Sequence, residues 1–213
     1  CHPEPMAYNT LTYAADMVTL LARLNVDQID WLGTSMGGLI GLLLASQTKT
    51  PIRRLILNDV GPTLSQEALK RIVNYVSGPH EFADAETARR YVRTIFAPFA
   101  LTSESDWNQL IADTLKPTEQ GRLQFKYDPD IRLPLEKALL GQGVDLWPLY
   151  DRIQCPTLLV RGEVSDLLSV ETADEMTRRG PRAMLATVAG VGHAPMFMSN
   201  DQIALVRDFL GHA

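Results

Sequence analysis

The chain has 213 residues, with 20 basic and 25 acidic side chains and a net charge of −5. That balance, with no Lys/Arg-rich run, argues against a nucleic-acid partner, and a hydrophobic content of 46% with 21% charged residues excludes a disordered or fibrous chain. At ~150 residues per domain, the length fits one domain carrying a substantial insertion.

Apolar residues recur at helical spacing from Leu11 to Leu24 (Leu11, Ala14, Ala15, Val18, Leu21, Ala22), which predicts an amphipathic helix. Gln28 to Leu32 reads as a short strand ending at Gly33. Met36 to Gln47 follows at once as a helix that is apolar nearly all round, as a helix buried against a sheet is. Arg54 to Asn58 is a continuous apolar run of the kind shown by parallel strands covered on both faces. From Pro62 to Leu149 the pattern changes to helical segments near 65–77, 83–97 and 103–115, with no buried strand among them. Thr157–Arg161 resumes the strand type, then a helix at 170–178, a strand near 183–188 and a helix at 201–210. This alternation predicts an α/β fold, a mostly parallel sheet with helices on both faces. Its core spans residues 1–61 and 150–213, and a helical cap spans residues 62–149.

The chemistry starts at Gly33-Thr34-Ser35-Met36-Gly37, a G-x-S-x-G pattern lying between a predicted strand and a predicted helix. A strand turning sharply into a helix lifts the serine oxygen above the carboxyl edge of the sheet, and small flanking residues let the two elements approach. Met36 then offers its backbone N–H at the helix N-terminus to a developing oxyanion. A serine hydroxyl needs a base. Of His2, His80, His193 and His212, only His193 sits in a loop just after a predicted strand, at the edge that carries Ser35. The imidazole needs a carboxylate behind it. Asp166, just past the Thr157–Arg161 strand, is the first choice. Glu163 in the same loop and Asp59, which ends the Arg54–Asn58 strand, are the rivals. Trp147 and Phe197 are candidate substrate-binding residues, although core packing is the ordinary role for such rings.

Two cysteines, Cys1 and Cys155, exclude a disulfide scaffold and a Cys-rich zinc site and fit a reducing compartment. The histidines are too scattered for a metal site, and neither G-x-G-x-x-G nor a P-loop is present. The longest apolar stretch, residues 37–45, falls short of the ~20 residues that span a bilayer. The expectation is a cytoplasmic protein with no membrane partner, no cofactor and no metal.

These residues carry a resemblance. GTSMGG, LILNDVGP, CPTLLVRGEVSDLLS and GVGHAP look like the serine elbow, the following strand, the acid strand with its loop, and the histidine loop of the α/β-hydrolase superfamily. The chain is most similar to bacterial esterase-like members with a helical cap. The resemblance implies cofactor-free cleavage of a small-molecule carboxylic ester or related acyl compound through an acyl-serine, with Ser35, His193 and Asp166 as the triad. Carbon–carbon bond hydrolysis of a diketone-like compound is the alternative on the same fold; a non-catalytic ligand-binding protein is the alternative of another class. The family's first strands, and the loop that donates a second oxyanion N–H, have no counterpart here. The chain is therefore expected to be the C-terminal portion of a protein on the order of 290 residues, or to be completed by a second chain.

Overall fold

The run predicted to be covered on both faces explains the architecture. In β2 (Ile52–Asn58), Leu55 and Leu57 point to one face and Ile56 to the other, and all three are buried. β6 (Thr157–Gly162) repeats the alternation, with Leu159 on the first face and Leu158 and Val160 on the second. Burying each such side chain contributes about 1.5–3 kcal/mol, so these two strands form the centre of the molecule. With β1 (Ile29–Thr34) and β7 (Met184–Val188) they make a four-stranded, wholly parallel sheet in the order β1-β2-β6-β7. The computed structural model describes Glu4, residues 7–140 and residues 145–211; Cys1, His2 and His212 lie outside these.

Helices cover both faces. On the first lie α1 (Thr10–Leu24), α2 (Met36–Ala45), α7 (Trp147–Tyr150) and α8 (Val170–Met176); on the second, α9 (Asn200–Gly211) packs Leu205, Val206 and Phe209 against Ile56, Leu158 and Val160. The helix starts are written locally. Asn9, Ser65, Asp84, Ser103 and Ser169 each accept an N–H of the following first turn, the usual way to satisfy an otherwise orphaned donor. β1 ends the sheet order, with Leu32 exposed.

Between β2 and β6 the chain leaves the sheet. The departing and returning strands are pinned at a neck, where Thr63 bridges Asp145 and Leu146 N–H donates to Pro62 C=O at 2.8 Å. Beyond the neck lie α3 (Gln66–Val76), α4 (Ala85–Ile95), α5 (Glu104–Thr114) and α6 (Arg132–Leu139). The excursion is not purely helical, as the sequence led us to expect. β3 (Glu81–Phe82), β4 (Leu115–Pro117) and β5 (Leu123–Phe125) form a small antiparallel sheet in the order β3-β5-β4. Strands of two or three residues are too short to show an alternating pattern. They are held by a separate apolar cluster around the fully buried Phe125, with Phe82, Val92 and Ile111. α7, which the sequence places in the insertion, packs on α2 and the main core instead.

Candidate active site

Parallel pairing brings four strand ends to one edge, and each is followed by a residue the sequence singles out. Ser35 follows β1, and its N–H donates to Asn58 C=O at 3.1 Å; Asp59 follows β2, and its N–H donates to Val160 C=O at 2.7 Å. The sheet ladder thus runs one residue past the strand ends and fixes Ser35 and Asp59 on neighbouring strands. Both have left-handed backbones, with φ of 51° at Ser35 and 54° at Asp59. Non-glycine residues hold such angles at a cost of about 1–3 kcal/mol, and they concentrate at functional sites.

The elbow is built by close approach. A Cβ on Gly33 would lie 2.2 Å from Gly37 O, and one on Gly38 would lie 2.4 Å from Val60 Cγ1. Gly37, although part of the motif, has nothing among the described residues within 4 Å of such a Cβ. Ser35 is the N-cap of α2, yet its side chain caps nothing. Its hydroxyl is therefore not spent on the helix. Met36 is the first residue of α2, where backbone N–H groups have no partner within the helix.

His193 is buried in the loop after β7, and its Nδ1 lies 2.8 Å from Asp59 Oδ2. A carboxylate only accepts, so Nδ1 carries the proton and Nε2 is left as the basic nitrogen. Asp59 is fully buried and accepts two more hydrogen bonds, from Gly162 N–H to Oδ1 at 2.9 Å and from Ser165 Oγ–H to Oδ2 at 2.6 Å. Three donors around a buried carboxylate are what keeps such a charge tolerable.

The carboxylate behind His193 is therefore that of Asp59, the rival in the sequence reading, and the first choice of Asp166 is corrected. Asp166 faces the insertion and makes a two-pronged pair with Arg71 of α3, with Oδ2 to Nε at 2.6 Å and Oδ1 to Nη2 at 2.8 Å. Its side chain is 45% exposed. Burial works to raise the Asp166 carboxyl, but the bonds and charge of Arg71 outweigh it and hold the group below its usual range, with a smaller contribution from His193. The physical reason is one of direction: Ser165, one residue earlier in the loop, turns its hydroxyl inward to Asp59 Oδ2, and Asp166 turns outward to Arg71. Glu163, the third contender, accepts from Gly190 N–H at 2.8 Å and so ties the loop after β6 to the histidine loop.

The two predicted substrate-binding rings have packing roles. Trp147 meets Tyr150 edge-on, lies under the Arg179 guanidinium at 4.2 Å and belongs to the main core. Phe197 packs on the α9 side of the sheet, with its N–H held by Gln202 Oε1 at 2.7 Å. Sequence reasoning missed three supports. Asn58 Nδ2 donates to both Thr34 Oγ1 and Pro195 C=O, tying the elbow to the histidine loop. Pro98 C=O accepts from Gly192 N–H at 2.8 Å, which seats the turn bearing Phe96 and Phe99 on the same loop. Ser165 is the third.

A family model for the alpha/beta hydrolase fold matches residues 2–198. The chain belongs to the alpha/beta hydrolase family. As such it is an enzyme of the hydrolase type. Over 204 residues it is 44% identical to a 3-hydroxybutyrate-oligomer hydrolase of Cupriavidus necator, a match that covers 92% of this chain and 70% of that relative. An alpha/beta hydrolase of Novosphingobium aromaticivorans, 34% identical, superposes with a TM-score of 0.86 over 100% of this chain and 75% of its own. A Rickettsia typhi crystal structure, 31% identical, reaches a TM-score of 0.89 over 99% of this chain and 72% of that one. Among the described residues, no helix of this hydrolase is long and apolar enough to cross a membrane.

Proposed function

We propose that this hydrolase cleaves esters of short hydroxy acids, with oligomers of 3-hydroxybutyrate as the substrate class, through a Ser35–His193–Asp59 triad. The observation that carries the chemistry is the buried Asp59–His193 hydrogen bond at the edge where Ser35 presents a hydroxyl that does not cap α2. The substrate class rests on the 44% identity to the Cupriavidus necator enzyme.

In this reading His193 Nε2 takes the Ser35 proton as Oγ attacks the ester carbonyl, and Asp59 stabilises the imidazolium that forms. The Met36 N–H at the start of α2 faces the developing oxyanion. The proton passes to the leaving hydroxyl of the released oligomer end. Water, activated by the same His193, then frees the acyl group and regenerates Ser35. The turn from Phe96 to Phe99, seated on the histidine loop by the Gly192 N–H to Pro98 C=O bond, is the part of the inserted region this reading assigns to the acyl chain.

Release of 3-hydroxybutyrate from its dimer and trimer, followed by chromatography, tests the substrate class. A fluorophosphonate should add once to the wild type and not to Ser35→Ala, whose kcat should fall by about 10⁶-fold. Retained labelling or turnover in Ser35→Ala overturns the mechanism. Turnover of a ring-cleavage dienoate in preference to p-nitrophenyl butyrate would move the reading to carbon–carbon cleavage.

A further inference from the structure

Ser165 lies in the loop after β6 and makes four hydrogen bonds. Its N–H donates to Gly162 C=O at 3.0 Å. Its Oγ accepts from Leu167 N–H and Leu168 N–H, each at 3.2 Å, and lies 2.6 Å from Asp59 Oδ2. A hydroxyl has one proton and two lone pairs. With both lone pairs facing amide donors, the proton can only point at the carboxylate, and the short distance is that of a charge-assisted O–H···O⁻ bond. The oxygen it reaches, Oδ2, is the one His193 Nδ1 uses.

The loop that holds Ser165 is itself clamped. Arg161 is buried, and its guanidinium donates to Leu168 C=O at 2.8 Å and to Glu163 C=O at 3.0 Å, closing the loop from both ends. Val164 N–H donates to Val191 C=O at 3.0 Å, so the same loop is stitched to the histidine loop. Gly162 completes the contact: a Cβ there would lie 2.2 Å from Gly192 O.

We propose that Ser165 is a positioning residue of the triad, fixing the Asp59 carboxylate so that Oδ2 accepts His193 Nδ1–H in one geometry. The inference rests on the Ser35–His193–Asp59 reading above. A serine that merely shapes its loop would contribute only its two amide acceptances, to Leu167 and Leu168. The bond to Asp59 would then be dispensable to the rate.

The test compares Ser165→Ala, Ser165→Cys and Ser165→Thr with the wild type on p-nitrophenyl butyrate. Melting temperature and the downfield proton resonance of His193 Nδ1–H are followed alongside. Loss of one charge-assisted bond predicts that kcat falls about 10- to 100-fold in Ser165→Ala, with KM changed less than about 3-fold. Ser165→Thr, which keeps the hydroxyl, should recover kcat to within about 3-fold, and the Nδ1–H resonance should shift or broaden in Ser165→Ala alone of these two. Should Ser165→Ala not fold, Ser165→Cys keeps the bulk but offers only a weak donor, and its kcat should fall with KM retained. Wild-type kcat in folded Ser165→Ala or Ser165→Cys, or a Ser165→Thr as slow as Ser165→Ala, overturns the inference. If Ser35→Ala and Asp59→Asn are also active, the triad reading itself has failed; if both are inactive, only the role of Ser165 has.

Discussion

Exchanging the two candidate acids for asparagine separates the geometry from the sequence expectation. Asp59 is fully buried and surrounded by three donors: Gly162 N–H, Ser165 O–H and His193 Nδ1–H. Asparagine has one acceptor oxygen for these three, and its NH2 must oppose at least one of them. The least disruptive escape is for His193 to move its proton to Nε2 and accept at Nδ1, which disarms the base. In serine hydrolases the wrong tautomer lowers kcat by about 10⁴-fold, or about 5 kcal/mol of transition-state stabilisation. Asp166 has a different setting. Its partner Arg71 is 32% exposed and the carboxylate itself 45% exposed, a range where ion pairs contribute about 0–1 kcal/mol. Asp166→Asn should therefore keep kcat on p-nitrophenyl butyrate within about 5-fold of wild type. Melting curves recorded alongside the kinetics distinguish lost chemistry from lost fold. The reasoning is refuted if Asp166→Asn is the crippled enzyme and Asp59→Asn retains more than about a tenth of the wild-type rate.

The elbow glycines predict opposite outcomes in thermal melting. Gly38→Ala forces a Cβ to 2.4 Å from Val60 Cγ1 and 2.9 Å from Gly33 O, an overpacking that should cost about 1–3 kcal/mol. Gly37→Ala meets nothing within 4 Å among the described residues and should hold or raise the melting temperature; a large loss there would contradict the packing described. His80 predicts an acid sensitivity of the inserted region. Burial pushes its imidazole below the ordinary 6.5, aided by Lys116 and opposed by Asp128 and Glu81, and its Nδ1 is buried without a partner among the described residues. The unfolded chain thus takes up this proton more readily than the folded one, so the stability present above pH 6.5 is lost as the pH falls below it. His80→Phe, set among the rings of Phe125 and Tyr127, should lose less melting temperature than wild type between about pH 7.5 and about pH 5.5. An unchanged difference would show that His80 does not carry the effect.

The sheet was legible because its information is local. A run such as Leu55-Ile56-Leu57 can be buried only with both faces covered, and Asn9, Ser65, Asp84, Ser103 and Ser169 mark helix starts through bonds that reach no further than three residues. The β3-β5-β4 sheet was not legible. Its strands span two or three residues, and Phe82 pairs with Leu123 forty-one positions away, so no window contains the pattern. Trp147 illustrates the same limit: a large ring beside a predicted cap reads as pocket lining, whereas the site it fills is made by Tyr150 and Arg179.

The acid shows where a chain-order argument stops. Serine, acid, histidine is satisfied along the sequence by Ser35–Asp59–His193 and by Ser35–Asp166–His193 alike, because β2 and β6 are adjacent parallel strands ending at the same edge. What separates them is the direction of one side chain. Asp59 follows Asn58, whose pairing with Val160 extends the ladder to Asp59 N–H and turns the carboxylate under the loop after β6. Asp166 follows Ser165, whose hydroxyl has already filled the place against Asp59, so the next side chain is directed outward to Arg71. One buried carboxylate satisfied by three donors leaves no room for a second without a like-charge cost. An Asp166 turned outward and paired with an arginine from α3 avoids that cost.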